Sequence, residues 1–115
     1  MKKKKFKGEF VGLEYGKRDK YPHRTALIMY FKVDGLDRTL HRIFNWYPPT
    51  VTNSKLSEVI PEFFDLDDEE IEGLLLTKDG TKSCFEDRCI GKVFDLRIER
   101  DKKSGFLEIK DIKAA

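Results

Sequence analysis

The sequence predicts a mainly β fold, a five-stranded Greek-key barrel with a helix between strands 3 and 4. Three observations support this fold class. Apolar and polar residues alternate in five segments, the stretch between the third and fourth of them has helical spacing, and turn residues separate the strands. All 115 residues are assigned to a single domain, 1–115, which is long enough to bury a core without disulfides or metals.

The first predicted strand, KFKGEFVGLEY, changes its apolar face partway along. Phe6 and Phe10 share one face, whereas Val11 and Leu13 lie on the other. Because successive side chains of a strand point to opposite faces, this change of phase predicts a bulge or a passage between two sheets. A basic loop, GKRDKYPHR (16–24), is predicted to follow.

The second and third predicted strands are TALIMYFKV and RTLHRIFNWY. Asp34 and Gly35 supply the turn between them. Pro48 and Pro49 end the third strand, because proline has no N–H to donate to a β-ladder.

The third strand has apolar residues on both faces, so two orientations are open. In one orientation Phe44 and Trp46 point outward. In the other, both rings face the core and Ile43 and Tyr47 point outward.

Residues 54–66 change from a strand period to a helix period, with apolar residues at i, i+3, i+4, i+7 and i+8. Asn53 or Ser54 is expected to cap the start of this helix. Pro61 is expected to leave the helix short, kinked or split, because it removes an interior N–H donor.

Between this helix and the end of the chain, the sequence predicts one helical turn and one hairpin. Asp67 with Glu70 resembles a capping box that opens the turn IEGLL. No element is predicted in the hydrophilic stretch that contains Asp79-Gly80 and both cysteines. GKVFDLRIERDKKSGFLEIKDI (91–112) is the hairpin, and Gly105 is predicted to adopt the left-handed conformation that its turn requires.

Five strands with a helix after the third is the order expected of an OB-fold, a small Greek-key barrel that commonly binds single strands or oligosaccharides. An SH3-like barrel would lack the helix, and a ferredoxin-like fold would alternate its elements differently.

Charge is unevenly distributed along the chain. Residues 1–24 carry nine Lys and Arg against three acids, a net charge of +6, whereas residues 55–79 carry two against nine, a net charge of −7. One end of the chain is therefore expected to attract phosphates while the middle repels them. No membrane contact is expected, since no apolar run approaches a membrane span and MKKKKFKG lacks the apolar core of a signal peptide; the cytoplasm is the predicted location.

Neither an enzyme nor a cofactor is predicted, because the sequence contains no glycine-rich phosphate loop and no nucleophile motif. Cys84 and Cys89 are expected to be free thiols: a zinc site would need His23 and His41, and neither belongs to a close pair. The acids of DLDDEEIE (65–72) are expected to form a solvated face at a helix start.

Basic and aromatic residues interleave along strands 2 and 3 and in the adjoining loops. Single-stranded nucleic acid is bound by cations that follow the phosphates and by rings that stack on the bases. The lysines of Lys2–Lys5 could add a phosphate-binding arm. The predicted nucleic-acid contacts are Lys17, Tyr21, Arg24, Tyr30, Lys32, Arg42, Phe44, Trp46, Lys102 and Lys103.

The assembled pattern resembles the small single-stranded-DNA-binding proteins encoded by phages of Gram-positive bacteria, including the lactococcal-phage type. The resemblance is carried by the strands TALIMYFKV and RTLHRIFNWY, the helix KLSEVIPEFF and the ending CIGKVFDLRIERDKKSGFLEIKDI. It covers nearly the whole chain.

The resemblance implies an OB-fold protein that coats single-stranded DNA in phage replication and recombination, in the host cytoplasm and without a fixed sequence requirement. It also implies a homo-oligomer that works alongside a recombinase or another replication protein. It assigns stacking on bases and contact with phosphates to two sets of residues, Tyr30, Phe44 and Trp46 for stacking, and Arg24, Lys32 and Arg42 for phosphates.

One departure concerns the acidic tail with which bacterial single-strand binders recruit repair enzymes. This chain ends KDIKAA, so recruitment by a tail is not expected, and a partner is expected to contact the folded surface, for example the acidic segment 65–72. The edge of the first strand and the final hairpin are the surfaces expected to pair in an oligomer.

Two other functions fit the same pattern. An RNA-binding OB module would use the same face, since the contact that discriminates RNA is to the 2′-hydroxyl. A protein-interaction or assembly domain would pack this face on a partner, and its −7 segment would suit a basic partner surface.

Overall fold

The structure is a computed structural model that describes residues 5–17, 25–36, 38–46, 54–64 and 67–115. Within these residues the chain forms five strands and three helices, in the order β1 (Lys5–Lys17), β2 (Thr25–Val33), β3 (Thr39–Asn45), α1 (Lys55–Phe63), α2 (Glu69–Leu74), α3 (Lys78–Cys89), β4 (Val93–Arg100) and β5 (Leu107–Ala114). The mainly β architecture is confirmed, with the helical segment between β3 and β4. None of the helices in the described ranges is long and apolar enough to cross a lipid bilayer.

All five strands belong to one antiparallel sheet, in the order β3-β2-β1-β4-β5. The central strand β1 pairs with β2 along Gly8–Lys17 and with β4 only along Lys5–Glu9. The use of an exposed β1 edge in an oligomer stays a prediction: β1 is paired on both sides only at Gly8 and Glu9. Its second half lies against α3, where Lys82 Nζ donates to the Leu13 carbonyl at 3.2 Å.

The two outer strands of the sheet, β3 and β5, approach each other. Residues 41–43 of β3 line one groove with residues 108–110 of β5, and residues 42 and 44 line another with residues 110–113. The numbering rises in the same direction along both strands, so they run side by side in parallel. No ladder joins them in the described residues, and the sheet is therefore not closed.

The change of face predicted in the first strand is a β-bulge. The register with β2 shifts between Phe10 and Gly12, which leaves Val11 without a partner opposite. The extra residue lets both Phe10 and Leu13 point into the core, where they are 0% and 5% exposed.

The first two helices follow the sequence signals with small differences. Ser54 caps α1 by accepting a hydrogen bond from the Ser57 N–H at 3.0 Å, and the helix ends at Phe63, two residues after Pro61. The capping residue of α2 is Asp68 rather than Asp67, because it is the Asp68 carboxylate that accepts the Glu70 N–H, at 3.0 Å.

The hydrophilic stretch around Asp79-Gly80 is a helix, α3, and the prediction of no element there is wrong. Thr77 caps it by accepting the Gly80 N–H at 3.0 Å. Its four buried residues, Thr81, Cys84, Phe85 and Cys89, form one stripe at i, i+3, i+4 and i+8. Gly80 allows α3 to pack closely on the preceding turn, since a Cβ there would lie 2.1 Å from the Leu74 carbonyl oxygen.

Aromatic rings dominate the core between the sheet and the helices. Phe63 of α1 lies 4.4 Å from Phe94 and 5.0 Å from Phe85 between ring centroids. Phe10 contacts Phe31 and Phe63 edge to face, at 5.6 and 5.7 Å. These offset contacts stabilise the packing of α1 and α3 against one side of the sheet, which leaves the other side of β2 and β3 uncovered by the helices.

Candidate nucleic-acid interface

The core fixes which side chains of β2 and β3 point away from it. Leu27, Met29 and Phe31 of β2 are 0% exposed, so the intervening residues point outward. Opposite them on β3 lie the residues that alternate with the buried Leu40 and Phe44. The residues that we call the outer face, with one contribution from β1, are Glu14, Ile28, Tyr30, Lys32, Thr39, His41 and Ile43.

Two rings lie side by side on the outer face. Tyr30 and His41 are directly opposite each other in the β2–β3 ladder, with ring centroids 6.3 Å apart and planes inclined by 57°. His41 and Lys32 are exposed, and Tyr30, Ile28 and Ile43 are partly exposed. The face therefore combines exposed aromatic surface, aliphatic surface, one lysine and the exposed carboxylate of Glu14.

Glu14 of β1 is hydrogen-bonded to the tyrosine of this pair. The Tyr30 hydroxyl donates to Oε1 of Glu14. This hydrogen bond is the main reason that the pKa of Tyr30 is raised above its ordinary value, because it stabilises the protonated phenol.

Arg42, Phe44 and Trp46 lie on the opposite side of β3 from the outer face. Phe44 is in the core at 2% exposure, and the Arg42 guanidinium lies 4.8 Å from the centroid of its ring. The structure thus has the second of the two orientations that the sequence left open, with Ile43 pointing outward. Tyr47, named with Ile43 in that orientation, is outside the described residues.

Trp46 lies at the end of β3, against the start of α3. The Lys78 ammonium is 5.8 Å from its ring centroid and 2.9 Å from the Thr25 hydroxyl. The backbone N–H of Trp46 donates to the Thr25 carbonyl at 2.9 Å. The indole Nε1 of Trp46 is buried with no hydrogen-bond partner among the described residues. The ring packs partly on the core, so only part of it is accessible.

The remaining predicted contacts that the structure describes, Lys17, Lys102 and Lys103, lie at two ends of the sheet. Lys17 is the exposed last residue of β1, opposite Thr25. Tyr21 and Arg24 fall outside the described residues, as does the Lys2–Lys4 part of the basic N-terminus. The structure therefore brings Tyr30 and Lys32 together on the outer face and places the other described candidates elsewhere.

Lys102 and Lys103 are exposed in the turn between β4 and β5. Asp101 holds this turn by accepting hydrogen bonds from the N–H and hydroxyl of Ser104, at 3.0 and 2.7 Å, and these bonds lower the pKa of Asp101. Gly105 has a φ of 76°, which confirms its predicted left-handed conformation.

Sequence reasoning missed three residues with exposed or outward side chains. His41 and Glu14 belong to the outer face, and Phe106, directly after the β4–β5 turn, is 70% exposed. The signal for His41 is its register opposite Tyr30, which is visible only after the buried face of β3 is known. The signal for Phe106 is its place outside the alternation of the apolar residues Leu107 and Ile109.

Both cysteines lie on the buried stripe of α3. Burial raises the pKa of Cys89 to about 11 and raises that of Cys84. No group of three or more His, Cys, Asp or Glu side chains in the described ranges has an arrangement that could hold a metal ion.

No protein-family model, no curated protein and no solved structure matches this chain.

Proposed function

We propose that this chain is an OB-fold protein that binds single-stranded DNA through the outer face, without a fixed sequence requirement. The proposal includes the role that the resemblance implies, coating of DNA in phage replication and recombination, as an oligomer and alongside a recombinase. The observation that carries it is the Tyr30–His41 pair, two accessible rings on neighbouring strands with Lys32 beside them.

The strand arrangement supports the fold half of the proposal. An OB-fold is a Greek-key barrel in which a bulged first strand pairs with the second and the fourth and the third strand runs beside the fifth. Here β1 is bulged at Val11 and lies between β2 and β4, and β3 runs beside β5. The helices lie between β3 and β4, where such a barrel has its helix.

The chemistry of the outer face supports the binding half. Nucleobases stack on aromatic rings whatever their identity, and each stack contributes about 1–3 kcal/mol to binding. Tyr30 and His41 offer two rings on adjacent strands, with Ile28 and Ile43 as apolar surface next to them. The exposed ammonium of Lys32, in the same row of side chains, suits a phosphate of the backbone.

Titration of a fluorescently labelled 30-nucleotide oligo-dT, followed by anisotropy at 50 and 200 mM salt, tests this function. We expect saturable binding at the lower salt and clearly weaker binding at the higher, because phosphate contacts release counterions. An absence of binding at 50 mM salt would contradict the proposal. A matched oligo-U in the same titration separates the DNA-binding function from an RNA-binding module, which would bind oligo-U more tightly.

A second candidate function, an assembly domain, is favoured by a different surface. Val11 at the bulge of β1, Ile90 and Val93 are 39%, 48% and 46% exposed. Backbone hydrogen bonds of 2.9 Å from Phe10 to Lys92 and from Gly91 to Phe10 hold the two segments together, so these side chains lie in one region. If Val93→Lys abolished self-association seen in sedimentation while oligo-dT binding stayed absent in every variant, the assembly function would be preferred.

A further inference from the structure

The outward side of β1 in the outer face is almost bare. Three successive outward positions are Gly12, Glu14 and Gly16, which pair with Tyr30, Ile28 and Ala26 of β2. At Gly12 no atom lies within 4 Å of the place where a Cβ would stand. Glu14 is therefore the one outward side chain larger than a hydrogen atom between Gly12 and Gly16, and open backbone lies beside it at Gly12, whereas Ile28 Cδ1 is 3.5 Å from the place of a Cβ at Gly16.

The Glu14 carboxylate is held by one hydrogen bond and has no ion-pair partner in the described part of the chain. The Tyr30 hydroxyl donates to its Oε1, which ties the carboxylate to the ring proposed to stack on a base. Within the described part of the chain, no Lys or Arg nitrogen lies within 4.0 Å of this carboxylate. The second oxygen thus remains as an acceptor at the edge of the stacking position.

A carboxylate in this position selects among ligand groups by their hydrogen-bonding character. It repels a phosphate and accepts hydrogen bonds from N–H donors on a base. Cytosine, adenine and guanine each carry an exocyclic amino group, whereas the corresponding edge of thymine has carbonyl oxygens on both sides of its single N–H. A base stacked on Tyr30 would therefore gain a charge-assisted hydrogen bond if it carries an amino group, and thymine would not.

We propose that Glu14 biases the outer face toward nucleobases that carry an exocyclic amino group and against thymine. This inference rests on the proposed function, since it describes which bases the same face prefers. Phosphates of the strand contact lysines at the rim such as Lys32, and Glu14 contacts base edges. Binding has no fixed sequence in this scheme, but it depends on base composition.

The test compares the affinities for 30-nucleotide oligo-dC and oligo-dT at pH 7.5 and fixed salt, in the wild type and in Glu14→Gln. The amide of Gln both donates and accepts, so it can bind the thymine carbonyl as well as the cytosine amino group. We expect Glu14→Gln to shift the ratio of the two affinities toward oligo-dT by about fivefold, the effect of one discriminating contact to a base.

Glu9→Gln is the matched control. Glu9 is exposed on the same strand, pairs with Lys32 across the ladder and has no aromatic ring opposite it. Removing its charge is expected to raise both affinities by a similar factor and to leave their ratio unchanged. An equal change of the ratio in both variants, or no change in either, would overturn the role of Glu14 while leaving single-strand binding intact. If neither oligomer binds the wild type, the proposed function itself fails, and the inference fails with it.

Discussion

The outer face of β1, β2 and β3 differs sharply from the outward side of β4 and β5, although both belong to the same sheet. On β4 and β5 the charges neutralise one another: Arg97 binds Glu99 and Asp111 at 2.6 Å each, and Lys110 binds Glu108 at 2.7 Å. These partners raise the pKa of Arg97, chiefly through its hydrogen bond to Asp111. On the outer face, by contrast, Tyr30 and His41 leave ring surface exposed to solvent.

The two surfaces therefore differ in how much free energy a nucleic-acid ligand can gain by binding to them. The carboxylates of an ion-paired surface cancel its positive charge and repel phosphates, so such a surface offers little to nucleic acid. Exposed rings and aliphatic groups lose only water when a base covers them. The paired ladder of β4 and β5 therefore suits a structural role, and the outer face suits binding.

The comparison depends on the orientation of β3, and the variant with the greatest predicted loss of stability tests that orientation. Phe44→Ala is expected to lower the free energy of unfolding by roughly 3–5 kcal/mol, because it removes a ring that is 2% exposed from the core. His41→Ala, three positions earlier on the exposed side, is expected to change it by no more than about 0.5 kcal/mol. Urea denaturation followed by circular dichroism measures both, and comparable losses in the two variants would mean that the two faces are assigned incorrectly.

The orientation of β3 is also the point at which sequence reasoning stopped. Strand positions, the bulge and the left-handed Gly105 followed from local patterns, because alternation and turn chemistry act over a few residues. The orientation of β3 did not follow from such patterns. Arg42, Phe44 and Trp46 combine a charge with two large aromatic rings on one side of the strand, and the apolar Ile43 lies on the other side. Only packing against α1 and β5 decides that Phe44 is buried.

Helix α3 was missed for a related reason. Its buried stripe consists of Thr81, Cys84, Phe85 and Cys89, only one of which is a large apolar residue, and Asp79-Gly80 has the chemistry of a turn. The glycine is required there by the Leu74 carbonyl oxygen, a tertiary contact that no sequence period reveals. At the candidate site, Tyr30 and Lys32 were found from the pattern of β2 alone, whereas His41 and Glu14 depend on register with neighbouring strands.

The next prediction compares the loss of oligo-dT affinity on removal of the two rings with the loss on removal of the ion pairs. The double variant Tyr30→Ala/His41→Ala is expected to weaken oligo-dT binding by about tenfold or more, because it removes two stacking surfaces. The double variant Arg97→Ala/Lys110→Ala, on β4 and β5, is expected to change affinity much less. Anisotropy titrations at one salt concentration measure both, after circular dichroism has shown that each variant is folded. A greater loss of affinity in the Arg97/Lys110 variant would mean that the ligand binds to β4 and β5 rather than to the outer face.

A smaller effect concerns the slope of affinity against salt. Lys32→Gln is expected to reduce the magnitude of that slope by about 0.7 in a double-logarithmic plot, the value for one phosphate contact on a single strand. Lys110→Gln removes the same charge from a residue that is paired with Glu108, and its slope is expected to match the wild type. Titrations at four salt concentrations between 50 and 200 mM give the three slopes, and identical reductions in both variants would show that the effect is one of net charge.

The smallest effect is a shift in one tyrosine titration, and it tests the hydrogen bond that distinguishes the outer face. The pKa of Tyr30 is raised chiefly because its hydroxyl donates to the Glu14 carboxylate. The pKa of Tyr15 is raised to about 12 for a different reason, which is burial. Glu14→Gln removes the negative charge, so one tyrosine is expected to ionise at lower pH than in the wild type, as measured by absorbance at alkaline pH.

A tyrosine whose pKa is higher in the folded than in the unfolded state contributes stability that is present below the unfolded pKa, near 10, and is lost as pH rises through the folded pKa. Glu14→Gln should consequently weaken the dependence of stability on pH above 10, whereas Glu9→Gln, which has no tyrosine partner in the described structure, should leave both the titration and this dependence as they are.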